Sequence, residues 1–205
     1  NAEYAELLCV FCHTAARLYT GAANVNNNLE TFGSSCHPRF AEPLTEEHLS
    51  EVASRLLLPK RYILTVGTQR EYKNIGPLIE GMSELPADLH FVIVGGATKY
   101  TKHIRFRIKS LGLEHRVHII HNVDEEDMPA IYRLATLYVH PSRYEGFATP
   151  IVEALTVGIP VIAAMGSSLE EAGGPDSIYV DPDDREALIR SIITLLNDDE
   201  LRSEM

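Results

Sequence analysis

Two glutamates, Glu145 and Glu153, flank a glycine turn and a helix start in the segment His140-Pro-Ser-Arg-Tyr-Glu-Gly-Phe-Ala-Thr-Pro-Ile-Val-Glu-Ala-Leu-Thr-Val-Gly-Ile-Pro-Val-Ile162. Carboxylates accept hydrogen bonds and suit hydroxyl-rich ligands such as sugars or ribose. The apolar run Leu137-Tyr138-Val139 reads as a short buried strand, and Gly146 supplies a turn after it. Thr149 is expected as the N-cap of a helix, with Pro150 at its first position. A helix start offers N–H groups and the positive end of the helix dipole, both of which favour a phosphate. Glu145 then lies on the loop and Glu153 one turn into the helix, so both can face one pocket. The chemistry indicated is a ligand with a phosphate centre and hydroxyls at both ends, such as a nucleotide sugar. On spacing alone, solvated helix-end acids account for the pair better.

The flanking residues tip that balance. The segment Glu145-Gly-Phe-Ala-Thr-Pro-Ile-Val-Glu153 resembles the Glu-x7-Glu motif of retaining GT-B glycosyltransferases, especially family 4. Pro141-Ser142 before it and Ala154 to Ile162 after it match as well. The resemblance covers roughly Arg61 to the C-terminus, and with this context the motif is specific. It implies that Glu145 contacts the transferred sugar and Glu153 the ribose hydroxyls. It also implies that the amides after Gly146, from Phe147, Ala148 and Thr149, hold the diphosphate. The family usually has a second glycine where this chain has Ala148. Alanine keeps the N–H but narrows the allowed backbone angles.

A second segment supports the first. Tyr62-Ile-Leu-Thr-Val-Gly67 reads as a buried strand running into a polar loop, with a helix beginning near Asn74. In the family this loop carries an arginine just after the glycine and a lysine near the helix start. Both neutralise the departing diphosphate. Lys73 matches the lysine. Thr68 stands at the usual arginine position, Tyr72 where some relatives place arginine instead, and Arg70 lies nearby in a different register. Ordinary loop charge is the less favoured alternative for Arg70 and Lys73. The style of Gly67-Thr68 and Lys73-Asn74 resembles that of some mannosyltransferases.

The elements that must position these residues alternate between strand and helix. Strands are expected at Leu89–Val94, Val117–Ile120, Val161–Ala164 and Ile178–Val180. Helices are expected at Thr45–Leu57, Lys102–Leu111, Asp183–Leu196 and from Asp124 through Ala135, the last with acids in its first turn. This order implies an α/β fold, a Rossmann-like doubly wound parallel sheet with helices on both faces. By resemblance it is the C-terminal half of a GT-B fold. Ligands bind at the carboxyl ends of such strands, which gathers Gly67, Gly95, Asn122 and the loop after His140 at one edge. The resemblance places the nucleobase near Gly95-Gly96 and the turn at Ile120 to Val123. A tight turn explains the two glycines equally well. Ser167 and Ser168 are expected to cap a short helix.

The chain has 205 residues and begins at Asn1. It is expected to be part of a two-domain enzyme whose N-terminal domain binds most of the acceptor. Residues 61–205 are read as the nucleotide-sugar-binding domain. Residues 1–60 are read as a mostly helical linker or remnant of the first domain, including a helix over Ala2–Leu18. That region holds Cys9, Cys12 and Cys36. Cys9-Val-Phe-Cys12-His13 meets a short haem-attachment pattern, and with Cys36 and His37 it offers zinc-ligand types, but buried reduced thiols are the expected reading. Eighteen basic against 29 acidic residues give a net charge of −11, which repels nucleic acid. The basic cluster Lys99, Lys102, His103, Arg105, Arg107 and Lys109 is read as a solvated helix face, with a weak contact for anionic lipid headgroups or the donor base as the alternative.

The sequence therefore points to a glycosyltransferase moving a hexose from a UDP-sugar or GDP-sugar to a sugar, lipid or other acceptor hydroxyl. Glu145 and Lys73 are the expected catalytic residues. The resemblance implies no metal and no cofactor. A cytoplasmic protein, peripheral at the inner membrane face, is expected. Two other readings stay open: a catalytically silent nucleotide-sugar-binding module, and a nucleotide-sugar epimerase of GT-B-like architecture.

Overall fold

The computed structural model describes residues 36–205. The helix expected over Ala2–Leu18 and the Cys9-Cys12 pair lie outside the described residues. Six strands form one parallel sheet: β1 (Tyr62–Val66), β2 (His90–Val94), β3 (Val117–Ile120), β4 (Leu137–His140), β5 (Val161–Ala164) and β6 (Ile178–Val180). Their order is β3-β2-β1-β4-β5-β6. The chain winds outward in one direction from β1 to β3, then returns to the other side of β1 with β4. The switch point thus lies between β1 and β4, where open parallel sheets bind ligands at their carboxyl edge.

Eight helices connect or flank the strands among the described residues: α1 (Glu46–Arg55), α2 (Gly76–Gly81), α3 (Thr101–Ser110), α4 (Met128–Arg133), α5 (Thr149–Thr156), α6 (Leu169–Gly173), α7 (Arg185–Asn197) and α8 (Asp199–Glu204). Strand side chains alternate between the two faces. Ile63, Ile93, Leu137 and Ile162 pack against Ile79, Ile104 and Ile192 of α2, α3 and α7. Leu64, Val92, Tyr138 and Val161 pack against Val52, Ile131 and Ile151 of α1, α4 and α5. Each face buries an apolar layer, so the strands are mainly apolar, with Thr65, His90, His118 and His140 among the exceptions. The segment before β1 belongs to this packing: Phe40 and Val52 are buried in the second layer. Arg55 donates two hydrogen bonds, 2.9 and 2.7 Å, to the buried Asp127 carboxylate, tying α1 to the start of α4.

Several boundaries differ from expectation for local reasons. Ala148, not Thr149, is the N-cap of α5. It adopts left-handed angles, φ 64° and ψ 53°, so Thr149 already belongs to the helix and Pro150 to its second position. Asn74 does not open a helix. It ends a 3-10 turn (Glu71–Lys73) with φ 51°, and α2 starts at Gly76. The acids Asp124–Asp127 precede α4 instead of filling its first turn; Asp127 stands at the N-cap position without a side-chain cap bond, and its carboxylate is held by Arg55. Thr45 does cap α1, accepting from His48 N, and Asp184 caps α7, accepting from Ala187 N.

Candidate active site

The carboxyl edge brings four loops together. They follow β1 at Gly67, β2 at Gly95, β3 at His121 and β4 at Pro141. The β1 and β2 loops touch. A Cβ on Gly95, where φ is 144°, would lie 2.1 Å from the Gly67 carbonyl oxygen, so only glycine fits. Gln69 N donates to Gly96 O, and His121 Nδ1 lies 2.7 Å from Gly95 O. Asn122 follows with φ 55° and turns the chain away, with Val123 packed against the second core layer.

Lys73 and Glu145 face each other across the switch point. Lys73 Nζ donates to Glu145 Oε1 at 2.5 Å, and both side chains are largely buried. His140 Nε2 reaches the same oxygen at 3.1 Å. Burial alone would raise the Glu145 carboxyl. The hydrogen bonds from His140 and Lys73 and the lysine charge outweigh it and hold the group at about 2. Burial lowers His140, so its imidazole is neutral at neutral pH. Glu145 is therefore a fixed anion near neutrality, able to accept hydrogen bonds or offset positive charge but not to give up a proton.

The backbone of Glu145 is held as firmly as its side chain. Its N–H donates to Ser167 Oγ, and its carbonyl accepts from Ser167 and Ser168 hydroxyls at 2.9 and 3.1 Å. Ser168 stands at the N-cap position of α6 but makes no side-chain cap; its hydroxyl donates to the Glu145 carbonyl. The expected cap is thus a clamp on the motif loop.

Glu153 lies on α5, the helix that follows Gly146, Phe147 and Ala148. Its Oε2 accepts from Tyr132 Oη at 2.7 Å. Burial raises the Glu153 carboxyl, and the Tyr132 hydrogen bond partly opposes this. Tyr132 and Tyr138 are fully buried and their rings touch, with centroids 5.5 Å apart. Tyr138 Oη in turn lies 2.8 Å from His140 Nδ1. The two glutamates are thus backed by one buried layer of Tyr132, Tyr138 and His140. Nothing in the motif spacing announces this layer. Tyr132 sits on a helix one strand earlier, and Tyr138 looks like any strand aromatic.

The arginine-position residues behave differently from cations. Tyr72 stacks on Tyr144 at 4.7 Å, and its carbonyl accepts from Arg143 N, so the β1 and β4 loops are clasped there. Arg70 lines a separate open cleft of about 790 Å³ with Tyr72, Lys99, Tyr100 and Tyr144. Thr68, Gln69, Lys73, His140 and Ser142 line a small cavity beneath Gly67. Gln69 Oε1 and Ser142 Oγ are buried in this region without hydrogen-bond partners among the described residues. No group of three metal-ligating side chains occurs among the described residues. The sequence does contain an Asp-x-Asp spacing, Asp181-Pro182-Asp183. Asp183 pairs with Arg143 at 2.7 Å there. His37 Nδ1 accepts from Arg39, and Cys36 is half-buried beside it.

Residues 51–205 match the family model described as glycosyl transferases group 1. The chain belongs to that family. It is 32% identical over 145 residues to the O-antigen chain mannosyltransferase B of Escherichia coli, an alignment spanning 69% of this chain and 38% of the relative. The chain therefore spans well under half of that relative. The fold is that of GT-B glycosyltransferase structures. Anabaena HepE, solved with UDP and glucose, superposes with a TM-score of 0.79 at 21% identity, covering 90% of this chain and 52% of that one. The C-terminal domain of a glycosyl transferase group 1 family protein from Francisella tularensis superposes at 0.66 and 21% identity, covering 82% of this chain and 91% of that domain.

Proposed function

We propose that this chain is the nucleotide-sugar-binding domain of a retaining glycosyltransferase of family 4 type. It would hold a UDP- or GDP-hexose and deliver the hexose to an acceptor hydroxyl. The carrying observation is the Lys73–Glu145 pair at the switch point, beside the start of α5 and one turn from Glu153. The diphosphate would lie at the start of α5, with Lys73 offsetting its charge as it leaves. Glu145, held ionised, would accept sugar hydroxyls and stabilise the cationic sugar. Glu153 would accept the ribose hydroxyls. Gly95, Asn122 and Val123 would border the base, and Gly67, Thr68 and Arg70 the phosphate side. This set needs neither metal nor cofactor. Relatives named as mannosyltransferases support mannose as the hexose.

The acceptor, a sugar, lipid or other hydroxyl, would be held mainly by an N-terminal domain of the same enzyme. No described helix is long and apolar enough to cross a membrane. Instead α3 presents Phe106, 74% exposed, at the centre of a solvent face carrying Lys102, Arg105 and Lys109. An aromatic flanked by cations suits the interface of an anionic bilayer, and we place the enzyme on the cytoplasmic face of the membrane.

A thermal-shift series with nucleoside diphosphates and their sugars tests the reading. A ligand at a hundredfold its dissociation constant adds about 2.7 kcal/mol to stability. UDP or GDP should stabilise the chain and free hexoses should not. No shift with any nucleoside diphosphate at millimolar concentration contradicts the proposal. A second reading, a silent binding module, is favoured by Tyr72 and Thr68 at the arginine positions. A radiolabelled-donor assay of the whole enzyme separates the two, since only the transferase labels an acceptor.

A further inference from the structure

We infer that Tyr132, Tyr138 and His140 are positioning residues that fix which oxygen of Glu145 and of Glu153 faces the donor. The inference rests on the donor reading above and adds residues that no motif assigns. All three side chains are buried, none more than 1% exposed, so none touches a ligand from solvent. Each must satisfy its polar atoms inside the protein.

Proton accounting sets the direction of every bond. A carboxylate only accepts, so Tyr132 donates to Glu153 Oε2. Glu145 is likewise an acceptor, so the proton between it and His140 sits on Nε2. A neutral imidazole then has a bare Nδ1, which must accept, and Tyr138 Oη is the donor facing it. The tautomer is fixed from both sides. The two tyrosines donate in opposite directions, one toward each glutamate, from rings in mutual contact.

This arrangement loads one oxygen of each carboxylate. Lys73 and His140 both reach Glu145 Oε1, and Tyr132 reaches Glu153 Oε2. Glu145 Oε2 and Glu153 Oε1 are then the oxygens that would meet a hydroxyl of the ligand. Removing a donor from behind lets the carboxylate rotate and raises the cost of keeping it charged.

The two arms act on different parts of the ligand, which makes them separable. Calorimetric titration of a nucleoside diphosphate and of its hexose conjugate is run on the parent, Tyr132→Phe, Tyr138→Phe, His140→Leu and His140→Gln. Tyr132→Phe should weaken both ligands alike, by about three- to tenfold. Its affinity should also fall at a higher pH than in the parent, because Glu153 then protonates more easily. The charged and titratable groups facing Glu153 are Tyr132 from α4, Tyr138 from β4, and Arg39 and Cys36 from the segment before α1. Tyr138→Phe and His140→Leu should leave the diphosphate affinity nearly unchanged and remove most of the affinity added by the hexose. His140→Gln, whose amide can donate in place of Nε2–H, should restore it. Equal losses for both ligands in every variant, with Gln no better than Leu, would overturn the inference.

A ligand-free measurement keeps it testable if no nucleotide binds and the donor reading itself fails. Nitrogen NMR of the His140 ring should show the neutral Nε2–H tautomer. Carbon NMR of the Glu153 carboxyl should show a higher pKa in Tyr132→Phe than in the parent. A ring protonated at Nδ1, or an unmoved Glu153, refutes the positioning role.

Discussion

Lys73 and Glu145 meet at 2.5 Å across the line where the sheet reverses its winding, one from the loop after β1 and the other from the loop after β4. Each side chain alone would be a poorly solvated charge; together they are neutral. Breaking such a pair from one side leaves an uncompensated buried charge, which costs about 3 kcal/mol. We expect Lys73→Met to lose about that much stability in urea unfolding. The double variant Lys73→Met, Glu145→Gln should be less destabilised than the sum of the two single changes. Simple additivity would show that the pair is not coupled.

The same pair sets an acid limit on stability. The folded-state Glu145 carboxyl is held at about 2, below its ordinary value of 4.5. A depressed carboxyl contributes stability that is complete above its unfolded pKa and is lost as pH falls toward the folded one. Part of the acid loss of stability between those two values should therefore vanish in Glu145→Gln. Urea midpoints followed downward from about pH 5 to about pH 2.5 give the comparison. An identical slope in parent and variant would contradict the assignment.

Glu153 should govern the nucleotide without governing the hexose. Glu153→Gln replaces a charged acceptor by a mixed donor and acceptor, at a cost of about 1.5–3 kcal/mol in nucleoside diphosphate affinity near neutral pH. The difference from the parent should shrink as pH falls, because burial raises the Glu153 carboxyl and the parent itself becomes protonated. Calorimetry at two pH values tests both statements. Equal affinity for parent and variant rules out the ribose role.

The α3 face should bind anionic bilayers. Sedimentation with phosphatidylglycerol-containing vesicles should capture the chain, and neutral phosphatidylcholine vesicles should not. Each lysine or arginine near such a surface contributes about 1 kcal/mol, lost at high salt. Phe106→Ser and Lys102→Glu should each reduce capture. No capture at low salt excludes this face as the membrane contact.

Much of the fold was legible because its signals are local. The apolar runs at Tyr62–Val66 and Val161–Ala164 are strands buried on both faces, and composition alone marks them. Glu145 and Glu153 stood out because loop, helix start and spacing are contiguous in sequence. What stayed hidden is tertiary. Ser168 looked like a cap, but its hydroxyl goes to a carbonyl 23 residues away. Thr149 has the better side chain for an N-cap, yet the left-handed turn at Ala148 moves the helix start back by one residue. The Tyr132–Glu153 bond joins residues 21 apart on two helices, and no periodicity reports it. The Arg55–Asp127 pair joins residues 72 apart, and local pattern does not report it either.

The most direct test is a crystal structure of the chain with a bound nucleoside diphosphate. The phosphates should lie against residues 146–149 at the start of α5, with Lys73 beside them. The ribose hydroxyls should lie on Glu153, and Glu145 Oε1 should keep Lys73 and His140 as partners. A nucleotide seated elsewhere, such as in the cleft lined by Arg70 and Lys99, or a ribose turned away from Glu153, would contradict the account.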